Sequence, residues 1–139
     1  MLSFRGTYIR QNADLCASLG QCVTGSTPGA PNSNHLNSFL PNVEFHYGNR
    51  LTGTFGWFET SGTVNPALFS PVPVTGSANG DPRSAGYILN VSYWPWQNLQ
   101  LAAQYTGYTR FNGGTTNYDG SLRNANGNNT VYLDAKFLF

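Results

Sequence analysis

The stretch Val131-Tyr132-Leu133-Asp134-Ala135-Lys136-Phe137-Leu138-Phe139 sets apolar residues at 131, 133, 135, 137 and 139 against Tyr132, Asp134 and Lys136. Successive side chains of a strand point to opposite faces, so this spacing predicts a strand with one apolar and one polar side. Five upstream segments repeat the pattern. Leu2, Phe4, Gly6 and Tyr8 oppose Ser3, Arg5, Thr7 and Gln11. Phe39, Pro41, Val43, Phe45 and Tyr47 oppose Asn42, Glu44 and His46. Leu51, Gly53, Phe55 and Trp57 oppose Thr52, Thr54 and Thr60, and Tyr87, Leu89, Val91 and Tyr93 oppose Asn90 and Ser92. Leu99, Leu101, Ala103, Tyr105 and Gly107 oppose Gln100, Gln104, Thr106 and Arg110. The expected fold is all-β: an antiparallel up-and-down meander of about six strands, in one domain spanning residues 1–139.

The connections alternate in length. Gly48-Asn49-Arg50 and Trp96-Gln97-Asn98 are of hairpin length, whereas 14–34, 65–84 and 112–128 are long and rich in Gly, Asn, Ser, Thr or Pro. Counting strands back from Phe139 puts both short turns at one end of the meander and all three long loops at the other. A weak internal repeat accompanies this: strands two and three match strands four and five at an offset of 48, pairing Phe39 with Tyr87, Val43 with Val91 and Leu51 with Leu99.

Composition narrows the class further. Charged residues are 9% of the chain and the net charge is +1, so there is no basic field to hold nucleic acid. Aromatics reach 14%, which suits a pleated surface. No run of about 18 apolar residues exists, which excludes a membrane-spanning helix but not a barrel, whose strands alternate. Met1-Leu2-Ser3-Phe4-Arg5 has no basic region followed by an apolar one, so no secretion signal is expected at this position.

The ending at Val131, Leu133, Phe137 and Phe139, with Ala135 between, resembles the C-terminal assembly signal of Gram-negative outer-membrane β-barrels. The stretch from Tyr93-Trp94-Pro95-Trp96 through Gln104-Tyr105-Thr106 to Asn117-Tyr118-Asp119-Gly120 is similar to the ends of large proteobacterial barrel proteins, some of which occur near c-type cytochromes. The resemblance implies an outer-membrane location, the barrel-assembly machinery and the lipid bilayer as partners, and porin-like passive transport of small solutes. Because eight strands is the usual minimum for a closed barrel, further strands, upstream or in partner chains, are expected. The alternatives are a barrel sheathing a cytochrome of an electron-transfer complex, and a soluble β-sandwich that binds a ligand.

On the barrel reading, Arg5, Glu44, His46, Arg110, Asp134 and Lys136 fall on the lumen-facing phase, lining a pore or pairing across strands. Glu44 and His46 lack a nucleophile motif beside them, so no enzyme is expected. Cys16 and Cys22 lie in the first long loop; an oxidising compartment makes a loop-closing disulfide the natural reading, with free thiols and a metal ligand pair as alternatives. No C-x-x-C-H is present to attach haem. Asn117-Tyr118-Asp119-Gly120-Ser121 faintly resembles a calcium loop but lacks the repeated acidic ligands and reads as a turn-rich surface loop. No cofactor and no metal are expected.

Overall fold

The structure, a computed structural model, describes residues 1–14, 33–69 and 76–137. It contains one six-stranded antiparallel sheet in sequence order: β1 (Leu2–Asp14), β2 (Ser33–Tyr47), β3 (Leu51–Gly62), β4 (Ser84–Trp96), β5 (Leu99–Arg110) and β6 (Thr130–Phe137). The helical residues among those described are a single α-turn, α1 (Pro66–Phe69), and a 3-10 turn, Ala125–Asn128. No described helix is long and apolar enough to cross a membrane.

Register joins the apolar faces of the six strands into one surface. Phe4 lies opposite Val43, which lies opposite Phe55, which lies opposite Leu89, then Tyr105, then Val131. A slip of one residue at any of these five seams would have turned a whole strand over. The surface so formed is uncovered among the described residues: Val43, Tyr87 and Tyr105 are half-buried by their neighbours, while Phe4 and Leu133 reach 74% exposure. A second sheet, which a β-sandwich needs, is not found among them.

Strand limits depart from the expected ones for local reasons. β2 begins six residues before Phe39, because Asn34, Leu36 and Ser38 pair with β1 although their composition is a weak strand signal. The β2–β3 ladder skips Leu40 and Pro41, consistent with the amide hydrogen that proline lacks. Both short turns occur as expected: 48–50 joins Tyr47 to Leu51, and Trp96 pairs with Leu99 around Gln97-Asn98, with a register shift between Tyr93 and Trp96. Two glycines create room for rings on neighbouring strands. Phe58 lies against its cross-strand partner Gly86 on the polar face, and Tyr87 against Gly107 on the apolar face.

The long connections 63–83 and 111–129 are not structureless where they are described. They fold against each other into a cap that buries Tyr118 and Ala125 with the polar Asn65, Ser77, Asp81 and Asp119, whereas no large apolar side chain of the described strands is buried. The first long loop, with Cys16 and Cys22, lies outside the described residues, as does Phe139.

Candidate functional site

The polar face of the sheet and the cap above its long-loop end form the candidate site. Near the short-turn end, β1 and β2 bring Arg5 Nη2 to 3.8 Å from Glu44 Oε2, and His46 Nε2 lies 3.2 Å from Glu44 Oε1. His46 Nδ1 also meets Thr52 Oγ1 at 3.2 Å, from the facing position on β3. On β6, Lys136 Nζ is 3.3 Å from Asp134 Oδ2. Five of the six expected polar-face residues therefore resolve into two ion-paired groups. Arg110 stands apart from them: a register shift between Ala85 and Gly86 sets it opposite Ala85, at the loop end of β5, where its charge acts on Asp81.

Val131, Leu133 and Phe137 sit on the exposed apolar face, opposite Tyr105, Ala103 and Leu99. That phase is the one their spacing predicts.

The cap is built from polar contacts that single segments do not announce. Asn65 begins it: its backbone N–H donates to the Gly80 carbonyl at 2.8 Å, and its side-chain Oδ1 accepts the Leu68 amide at 3.3 Å, capping α1. Ser77 Oγ donates to the Asn112 carbonyl and accepts the Asp81 amide, each at 2.9 Å. Asn112 Nδ2 donates to the Gly76 carbonyl. Ala78 N–H reaches the Tyr118 carbonyl at 2.8 Å, and Gly113 N–H reaches that of Arg83 at 2.7 Å. These bonds fasten loop 63–83 to loop 111–129.

Two carboxylates stiffen the ends of the cap. Arg83 Nη2 lies 2.6 Å from Asp81 Oδ2, and Arg123 Nε lies 2.6 Å from Asp119 Oδ2. Asp119 Oδ1 also accepts the amides of Ser121 at 2.9 Å and Arg123 at 3.2 Å. The hydrogen bond from Arg83 holds the Asp81 carboxyl below its ordinary value against the opposing effect of burial, and the Arg123 hydrogen bond does the same for Asp119. With its lone pairs directed at amides and a guanidinium, Asp119 serves a turn rather than a cation. Among the described residues no three His, Cys, Asp or Glu side chains gather as a metal site.

A run of edge-to-face rings ties the cap to the sheet: Phe58 to Tyr108 at 5.4 Å, Tyr108 to Phe111 at 5.0 Å and Phe111 to Tyr118 at 5.0 Å. Sequence reasoning set out Tyr118 and Asp119 only as parts of a surface turn. The available signal was local: an Asp followed at the second and fourth positions by residues whose amides it can accept, with an Arg at the fourth.

Beside these rings, Tyr108, Thr109, Thr115, Thr116, Asn124, Ala125 and Asn126 enclose an open cleft of about 360 Å³ between β5 and the third long loop. No family model, no curated protein and no solved structure matches this chain.

Proposed function

We propose that this chain is the C-terminal part of a bacterial outer-membrane β-barrel that lets small solutes diffuse across the membrane. The observation that carries the reading is the continuous, uncovered apolar face of an in-order meander. Isolated exposed apolar residues are ordinary, but a whole sheet face of them fits a hydrocarbon environment. The two short turns at one end and long connections at the other support the same reading. So does the polar face, whose hydroxyls, amides and paired charges suit a wetted interior.

β1 and β6 each have one hydrogen-bonded neighbour among the described strands. In lipid, an unpaired strand edge costs several kcal/mol per orphaned group, so the working barrel has further strands that close against both edges. Val131, Leu133, Phe137 and Phe139 fit an assembly signal read by the barrel-assembly machinery.

The test is reconstitution of the full-length protein. It folds when lipid or detergent is supplied, fails to fold in plain buffer, and opens stable conducting pores in planar bilayers. Cooperative folding in plain buffer would remove the membrane from the account. A folded barrel that stays closed without a partner would favour the sheath over the channel.

A further inference from the structure

The polar face has a consistent electrical character. Near the short-turn end its charges lie in two groups, Arg5 with Glu44 and His46, and Asp134 with Lys136, while Arg110 stands at the loop end of β5, where its charge acts on Asp81. Between these groups and the cap the face is uncharged: Thr54, Asn90 and Gln104 lie in register across β3 to β5, Thr52 faces Ser92, and the apolar Ile88 and Phe58 lie nearer the cap, opposite Thr106 and Gly86. Rings of one charge sign are what select ions in a pore. This wall has no such ring, and offers a passing solute neutral hydrogen-bond donors and acceptors.

The cleft beside β5 has the same chemistry. Tyr108 belongs to the polar face, where it pairs with Gly86, and it lies at the long-loop end of the strand. The hydroxyls of Tyr108, Thr115 and Thr116 and the side-chain amide of Asn126 have no hydrogen-bond partner among the described residues, and all four border the cleft. Asn124 contributes as well, its Oδ1 held by the Asn117 amide at 3.1 Å. The lining contains no carboxylate, ammonium or guanidinium. Its volume of about 360 Å³ lies within the range of small-molecule sites.

We infer that the solutes are neutral and polyhydroxylated: sugars and short uncharged oligosaccharides, held at the loop-side cleft and passed along the hydroxyl–amide wall. This rests on the channel reading above. Such a solute exchanges its hydration for the unpartnered hydroxyls and amides, whereas an ion finds at the cleft no opposite charge to offset the larger cost of its desolvation.

Glucose, gluconate and glucosamine are close in size and differ in charge, so they separate the possibilities. Full-length protein in liposomes takes up glucose faster than either charged analogue. At the cleft, maltotriose interrupts the single-channel current. Replacing Tyr108→Phe and Asn126→Ala together weakens that block about tenfold, the equivalent of about 1.4 kcal/mol. Thr116→Val is the second variant, should the pair fail to give folded, heat-modifiable protein. Glucose entering no faster than both charged analogues, through a conducting pore, would overturn the inference and leave the channel standing. Absence of maltotriose block, or block unchanged in a folded variant, would overturn the cleft. No uptake of any of the three and no conductance would overturn the channel reading beneath it.

Discussion

Val91 and Leu101 bear most directly on which face meets lipid. Both are exposed on the apolar face, Val91 midway along β4 and Leu101 nearer the short turn, with Ala103 facing Val91 and Tyr93 facing Leu101. Val91→Arg should destabilise the barrel in lipid vesicles by about 2–4 kcal/mol, the cost of arginine near the bilayer midplane, and Leu101→Arg, nearer the short-turn end of β5, by less. Thr54→Arg should be close to neutral, since Thr54 lies on the other face between Glu44 and Asn90. Urea unfolding in vesicles checks the series, and equal losses at all three sites would contradict the face assignment. Ser92 is unsuited to this comparison: although on the polar face, it is buried, with its hydroxyl 3.3 Å from Asn90 Oδ1. A second prediction concerns packing. A Cβ at Gly107 would fall 2.6 Å from Tyr87 Cζ, so Gly107→Ala should cost about 1–3 kcal/mol through overpacking. In a Tyr87→Ala background the same change should cost far less, a coupling that a double-mutant cycle measures. A cost that persists undiminished would mean the ring is not what the new methyl meets.

The cap is the element whose stability depends on pH. Asp81 and Asp119 titrate lower in the folded cap than in an open loop, mainly because Arg83 and Arg123 donate to them. The folded cap therefore binds fewer protons, and the stabilisation is present above the ordinary carboxyl value of about 3.9 and lost as pH falls through the depressed folded values. Amide exchange at Ser121 and Arg123, corrected for intrinsic rates, should stay protected at neutral pH and lose protection below about pH 4. Asp119→Asn should show the loss already at neutral pH, while exchange in the strands stays slow. Protection unchanged down to about pH 3 would contradict the role given to the carboxylates. Strands and cap were unequally legible in the sequence. Strand order, phase and both hairpins followed from alternation and loop length, because neighbours in sequence are neighbours in the sheet. The cap is made of contacts across 35 and 36 residues, such as Ser77 and Gly76 with Asn112, between polar segments with no period to read. The first residues of β2 were missed because Ser33-Asn34-His35-Leu36-Asn37-Ser38 is polar on both faces apart from Leu36. Arg5 and Glu44 were legible only as residues of one face; their contact is diagonal, since Arg5 faces Asn42 and Glu44 faces Ser3, and such an offset depends on register that alternation alone does not give.

At the scale of the whole molecule, burial is inverted relative to a compact water-soluble domain: the sheet leaves large apolar side chains exposed on one face, and the cap encloses polar ones. That inversion is intelligible if the solvent of the sheet is lipid. The most direct measurement places nitroxide labels singly at consecutive positions 88 to 93 of β4 in the reconstituted full-length protein. Accessibility to oxygen, which partitions into lipid, is then compared with accessibility to a water-soluble nickel chelate. Labels at Leu89, Val91 and Tyr93 should be open to oxygen and shielded from nickel, and those at Ile88 and Asn90 should show the reverse, a period of two along the strand. Nickel reaching both sets equally, or an oxygen signal with no alternation, would contradict the claim that this face lies in the membrane.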